Sequence, residues 1–400
     1  MGCKATLGEI CNRVCSGGTP KRKCTEYYDG GTIPWLNTKE IAFNRIYATE
    51  SHITEEGLRN SAAKWINKDS VIIAMYGATA GKAALAMIPL TTNQACCNLE
   101  VNPAVADYRY VYYWIKNRYS FIANLANGGA QQNLSAKTIK ALELNLPPRN
   151  LPHAVANVLA ILDDKIELNN RLNGYLEELL FAKYDELFPA ESEHNGTLAD
   201  IGTVVGGATP SKKRAEYYCE NGIGWITPRD LSNSSDKFIA QGAVDLTEEG
   251  YSSCSVKLLP AGSVLFSSRA PIGYVAIAAA NVTTNQGFKS IVPKEEFGTA
   301  FVYCFLVRNK KKIADMGAGT TFPEVSGSMM RSVPLSLPSG QLCAEFSAFA
   351  HPILEQQRSL ELENRSLCLL RDALLPKLMS GEIDVSKVDL TQPNSHLADC

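Results

Sequence analysis

An excess of charge of either sign is the first thing missing from this 400-residue chain. Lys and Arg number 39 against 41 Asp and Glu, a formal balance of −2, so no global field draws it to nucleic acid or to an anionic membrane. Any electrostatic footprint must be local. Long apolar runs are missing too: Lys82 and Arg269 interrupt the two best candidates, leaving nothing of about eighteen residues to cross a bilayer. No charged start followed by an apolar run and a small-residue cleavage site is present, so the protein is expected to be cytoplasmic, its 12 cysteines reduced and mostly buried. Met1 to Thr6 fits a loose acylation pattern, which so short a match meets by accident.

The motifs of catalysis are absent as well. Cys11 and Cys15 lie four apart, Cys96 and Cys97 are adjacent, no second pair completes a tetrahedral zinc set, and the 5 histidines are scattered. Gly77-Ala78-Thr79-Ala80-Gly81-Lys82-Ala83 follows an apolar run like a phosphate loop. It has three residues between its glycines where that loop needs four, and Ala83 where a hydroxyl must reach magnesium. No His-Glu-x-x-His, Gly-x-Ser-x-Gly or dinucleotide fingerprint occurs. These absences point to a binding protein.

What is present is a duplication. Gly18-Thr19-Pro20, Glu26-Tyr27-Tyr28 and Trp35 return as Ala208-Thr209-Pro210, Glu216-Tyr217-Tyr218 and Trp225, each displaced by 190 positions. Such a period means duplicated domains rather than a solenoid of small repeats. The echo continues with slight changes of register, as where loops gain or lose residues. Ile53-Thr54-Glu55-Glu56-Gly57 matches Leu246-Thr247-Glu248-Glu249-Gly250, and Thr91-Thr92-Asn93-Gln94 matches Thr283-Thr284-Asn285-Gln286. Each copy closes on a Gly-rich stretch, Asn127 to Gln132 and Met316 to Thr321.

Within a copy, short β-prone runs (Ser70 to Tyr76, Leu85 to Ile88; Ser263 to Phe266, Tyr274 to Ala278) predict a mixed α/β (α+β) module with a mostly antiparallel sheet. Tyr108 to Ala126 and Ala300 to Ile313 are expected to be helical. A long amphipathic helix follows each copy. Leu159, Leu162, Ile166, Asn169, Asn173, Leu176 and Leu180 keep a three-four spacing in the first, with Ile161, Leu168, Leu172 and Leu179 widening the stripe. Phe346, Phe349, Ile353, Gln356, Leu360, Glu363, Leu367, Leu370 and Leu374 do the same in the second. The stripes exceed what one module face needs, so the helices are expected to pair as a coiled coil, antiparallel if the two copies are related by a two-fold. The domain plan is a first module over 1–150, a helix over 151–188, a second module over 189–340, a helix over 341–383 and a polar tail over 384–400.

Basic clusters of the same sign follow each Thr-Pro: Lys21, Arg22 and Lys23, then Lys212, Lys213 and Arg214. On a Pro-initiated loop beside Tyr27 or Tyr217 they suit the neutralisation of phosphates. Loops whose side chains differ between copies suit base reading: Thr79 and Lys82 against Ser268 and Arg269, and Gln131 and Gln132 against Thr320 and Thr321, with Arg229 a further cation of the second copy. Thr19 and Thr209 complete the candidate DNA contacts. Asn93-Gln94 and Asn285-Gln286, identical in the copies, are expected to tie turns. A duplicated protein-interaction scaffold without DNA binding remains an alternative, as does an enzyme with an unrecognised site.

The paired Thr-Pro, Tyr-Tyr, Trp openings, the Thr-Asn-Gln segments, Leu162-Asp163-Asp164-Lys165-Ile166-Glu167-Leu168-Asn169, and Leu370-Arg371-Asp372-Ala373-Leu374-Leu375-Pro376-Lys377-Leu378-Met379-Ser380-Gly381-Glu382-Ile383 together resemble the specificity subunits of Type I restriction-modification systems. The resemblance spans nearly the whole chain. It implies two target recognition domains, each reading half of a split sequence in double-stranded DNA, and a helix pair that docks two methyltransferase subunits and, where present, restriction subunits. It implies Leu162, Ile166, Leu176, Leu180, Ile353, Leu360, Leu367 and Leu370 as partner-binding positions. It also implies that this chain binds no cofactor: S-adenosylmethionine belongs to the methyltransferase, ATP and Mg to the restriction subunit. A helix of about 27 residues is about 40 Å long, which suits half-sites about 34 to 36 Å apart.

Overall fold

The structure, a computed structural model, describes residues 3–127, 134–147, 150–189, 194–234, 236–317 and 323–385. Gln131, Gln132, Thr320, Thr321 and most of the polar tail lie outside the described residues. The chain divides into two units, Met1–Lys165 with Ser366–Cys400, and Ile166–Arg365.

In the first unit a five-stranded sheet has the order Cys11–Ser16, Cys96–Val101, Val71–Ala74, Ala83–Ala86, Asn44–Ile46; all neighbours are antiparallel except the last pair. The period of two sorts its side chains. Val71, Ile73, Ala83, Leu85, Cys97 and Leu99 join a cluster with Tyr110, Tyr113, Ile122 and the long-helix residues Val155 and Leu159. Ile72, Ala74, Ala84, Ala86 and Cys96 join the opposite cluster with Leu36, Ile66 and Leu90. Those last residues belong to a second, four-stranded sheet ordered Ser51–Ile53, Ile33–Leu36, Leu90–Thr92, Trp65–Ile66. Helices therefore cover one face of the central sheet and a smaller sheet covers the other, which explains strands buried on both faces.

The second unit repeats the plan: Gly202–Gly206, Lys289–Pro293, Val264–Ser268, Ile272–Ala278, Phe238–Ile239, again with a parallel edge. Val264, Phe266 and Ile277 face the helical cluster; Leu265, Ala276 and Ala278 face the other. The duplication seen in the sequence is thus a duplication of topology.

Two expectations are refined. The helix expected over Tyr108 to Ala126 is two, Tyr108–Asn117 and Tyr119–Asn127. They part at Arg118, whose amide is shared between the Trp114 and Ile115 carbonyls (3.0 and 3.1 Å), a tightening common at helix ends. Among the described cysteines four are buried, six half-buried and Cys3 exposed, so "mostly buried" overstates it. Burial raises the Cys11 thiol to about 11 and that of Cys97 to about 12, which keeps both protonated.

The long helices run Asn150–Leu187 and Gly340–Ser380 and pair antiparallel. In the first unit Arg371 Nη1 donates to Asp163 (2.8 Å), which also accepts from the Tyr113 hydroxyl (2.6 Å). In the second, buried Asn169 donates to Glu363 and Asn364 (2.8 and 2.9 Å), so a polar layer sits in the seam and fixes register. Gln357, not Gln356, occupies the seam: it is 2% exposed and donates to the Asn173 carbonyl. Gln357 Oε1 also accepts from the Lys237 ammonium (2.6 Å), and strict heptad counting misses this position by one residue.

Candidate nucleic-acid interface

The residues repeated in both copies build one bracing device. In the first unit Trp35 Nε1 donates to the Gly18 carbonyl (2.9 Å), the Tyr28 hydroxyl donates to that of Pro20 (2.7 Å), and the Thr19 hydroxyl bonds the Gln94 amide oxygen. In the second unit Trp225 Nε1 meets Ala208 (3.1 Å), Tyr218 meets Pro210 (2.8 Å) and Thr209 bonds Gln286. Tyr28 packs edge-on against Trp35 and Tyr218 against Trp225. Asn93 and Asn285 tie their turns by accepting from the amides of Ala95 (3.0 Å) and Gly287 (2.8 Å), the task read from the sequence.

The Thr-Glu-Glu-Gly segments complete the brace. Thr54 and Thr247 each cap a one-turn helix by accepting from the Gly57 or Gly250 amide (3.1 Å in both). A Cβ on Gly250 would lie 2.2 Å from the Tyr217 carbonyl oxygen, and one on Gly57 2.6 Å from that of Tyr27. Gly250→Val should therefore destabilise the protein by about 1–3 kcal/mol, seen as a lowered midpoint in urea unfolding; an unshifted midpoint would refute the tight packing. What the two copies share braces the cationic loop.

In the first unit three loops meet on this brace. The Thr79 hydroxyl donates to the Thr38 carbonyl (2.9 Å), and Asn93 Nδ2 to Asn37 Oδ1 (3.4 Å). Beside them is a groove of about 700 Å³ lined in part by Arg22, Thr25, Asp29, Asn37, Thr38, Lys39 and Asn93, to which the Thr79 loop contributes no lining residue. Lys21, Arg22 and Lys23 are exposed, Tyr27 and Lys82 half-buried, and Lys39 pairs with Glu50. In the second unit a helix at Pro228–Asn233, closed by a Thr227–Asp230 capping box, presents exposed Arg229. Lys212 and Lys213 are exposed, Tyr217 is half-buried, and Arg214 pairs with Glu216 (3.0 Å). Arg269 lies 3.6 Å from Glu324, and Ser268 is buried with no hydrogen-bond partner for its hydroxyl among the described residues.

Asn37, Lys39, Lys289 and Glu324 escaped the sequence reading. Lys39 was detectable: Thr38-Lys39-Glu40 and Pro228-Arg229-Asp230 share the displacement of 190 and the order of charge. Lys289 and Glu324 left no signal, because only folding brings strand and loop together.

Of the positions implied for partner binding, Leu180, Ile353 and Leu360 are buried, Leu162, Ile166, Leu176 and Leu367 half-buried, and Leu370 is 48% exposed. The exposed large apolar side chains of the first long helix are others: Ile161, Leu168, Leu172, Tyr175 and Leu179, a second stripe at heptad spacing.

Comparison with known proteins agrees with this architecture. The family described as the Type I restriction modification DNA specificity domain matches residues 4–178 and 191–343, and the chain belongs to it. The MjaIX specificity subunit of Methanocaldococcus jannaschii is 43% identical over 145 residues, a segment covering 36% of this chain and 33% of that relative. The HindI specificity subunit of Haemophilus influenzae is 26% identical over 343 residues, covering 66% and 74%. A crystal structure of the Type I S subunit from M. genitalium superposes with a TM-score of 0.60 at 18% identity, covering 94% of this chain and 96% of that one, which establishes the shared fold. The chain is a two-domain DNA specificity subunit of the Type I restriction-modification class, and such a subunit is not an enzyme. No helix among the described residues is long and apolar enough to cross a membrane.

Proposed function

We propose that each module reads one half of a bipartite target in double-stranded DNA, and that the helix pair docks two methyltransferase subunits and, where present, restriction subunits. The observation that carries this is the twofold occurrence of one braced loop assembly, each copy with exposed cations at Lys21, Arg22 and Lys23 or at Lys212 and Lys213. The bracing supports the phosphate-contact role, since a fixed loop loses little entropy when it meets the duplex. Thr19 and Thr209 contribute through the brace; Thr79, Lys82, Gln131, Gln132, Arg229, Arg269, Thr320 and Thr321 are the base-facing candidates, whereas Ser268, fully buried in its strand, is not one.

Docking uses the apolar stripe Leu168, Leu172, Tyr175 and Leu179, because these side chains are exposed while the seam residues face the paired helix. The partners bring the chemistry: S-adenosylmethionine to the methyltransferase, ATP and Mg to the restriction subunit. The assembly works in the cytoplasm, where its DNA is. The boundaries 1–150, 151–188, 189–340, 341–383 and 384–400 serve as the working domain plan.

Co-purification with the methyltransferase subunits, followed by mapping of methylated adenines, tests the reading; a single contiguous target would sink it. Replacing Lys212, Lys213 and Arg214 together by Ala should weaken binding at every sequence alike. The slope of log affinity against log salt should become shallower by about 2 to 3. An unchanged slope would remove these residues from the phosphate contacts.

A further inference from the structure

The loop after the central strand of the second unit carries an ion cluster that the shared brace does not require. Glu324 lies between two cations, with Arg269 Nη1 at 3.6 Å and Lys289 Nζ at 3.3 Å. The first unit has other chemistry at the same places. The Leu134 amide donates to the Met75 carbonyl (3.1 Å) as that of Val325 does to Ser268 (3.0 Å), which makes Tyr76 the counterpart of Arg269. Strand register, Val71 opposite Leu99 and Val264 opposite Ile291, makes buried Cys97 the counterpart of Lys289.

The mounting of Arg269 is rigid. Ser267 Oγ accepts from the Tyr274 amide (2.8 Å) and donates to the Pro271 carbonyl (2.9 Å), and the Ser268 amide donates to that of Gly287 (2.7 Å). Ala270 sits at φ 50°, a left-handed conformation that a residue with a Cβ keeps only where its surroundings hold it.

A cation that serves to attract phosphate works best un-neutralised. Here Glu324, shared with Lys289, offsets part of the Arg269 charge and approaches it at one nitrogen, leaving the rest of the planar donor fork to pair bidentately. That combination reads better than it attracts, and the base edge that fits it is the O6/N7 pair of guanine. Resting on the reading above, we propose that Arg269 reads a guanine in the half-site bound by the second module. Glu324, tethered by Lys289, is the positioning residue that aims it.

The test uses the chain in complex with its methyltransferase subunits and maps methylated adenines for wild type, Arg269→Ala, Arg269→Lys and Glu324→Gln. With Arg269→Ala one G·C pair in one half-site becomes degenerate, discrimination there falling about 10- to 100-fold, while the other half-site and the gap stay as they were. Glu324→Gln relaxes the same position by a smaller factor, since the guanidinium is retained but no longer held. Should Arg269→Ala yield no active complex, Arg269→Lys and Glu324→Gln decide. A target unaltered in both overturns the proposal, and so does a loss of affinity that is uniform across sequences with a shallower salt slope. A wild-type target that is not bipartite would instead overturn the function proposed above, so the two failures are distinct.

Discussion

Lys237→Met should be the most damaging single substitution in the second unit, lowering its stability by about 3–5 kcal/mol. Lys237 extends from the edge strand Phe238–Ile239 with its side chain 8% exposed. Its ammonium donates to Glu177 and to Gln357 Oε1 (2.6 Å) and stands 4.7 Å from the centre of the Tyr303 ring. Tyr303 in turn donates to Glu177 (2.9 Å), and Gln357 Nε2 to the same carboxylate (3.3 Å). Glu361, whose carboxyl burial pushes above its ordinary range, accepts from the Lys237 and Phe238 amides (2.8 and 3.1 Å). Removing the ammonium leaves the Glu177 carboxylate and the Gln357 carbonyl oxygen without their cationic donor in a largely buried place. The double variant Lys237→Met/Glu177→Leu should regain most of the loss, because an apolar pair of similar volume avoids the desolvation cost. Urea unfolding checks both. A single variant within about 1 kcal/mol of wild type, or a double variant weaker than the single, would show that the network is not coupled in this way.

This network also shows where sequence reading stops. The duplication, both long helices and the mixed sheet were legible because each rests on a local rule: a fixed displacement, a three-four spacing, a period of two. Lys237, Glu177 and Glu361 were not, since three elements far apart in sequence supply them and none stands in a pattern. Gln357 shows a subtler failure. Heptad counting favoured Gln356, and the next residue is the one that bonds the Lys237 ammonium and the Asn173 carbonyl. At the candidate interface Asn93 and Asn285 were readable as structure, because two copies of one segment act as an alignment of two, whereas the equally identical Thr19 and Thr209 were read as DNA contacts and bond Gln94 and Gln286. The differing ones, Arg269 beside Glu324 or Tyr76 in its place, gain meaning only when Met75 and Ser268 are seen to accept equivalent backbone bonds.

Inserting whole heptads into both long helices should change the number of unread base pairs between the half-sites. The insertions belong between Lys165 and Ile166 and between Arg365 and Ser366, so that the seam of apolar and Asn positions keeps its phase. One heptad adds about 10 Å to a helix, the rise of about three base pairs at roughly 3.4 Å each. Three pairs also turn the duplex by about 100°, at 10 to 10.5 pairs per turn, so the second half-site would face away from its module. Affinity should fall steeply for that variant, the gap settling where twisting the DNA and bending the helices cost least. Three heptads add about 32 Å, close to one full turn, and should restore tight binding with a gap longer by about nine or ten pairs. Selection of bound sequences from a library with variable spacing reads both numbers directly. A gap that stays constant through both insertions would mean that the spacing is set by the modules or by the docked partners, and the helices would then be a support without being a measure.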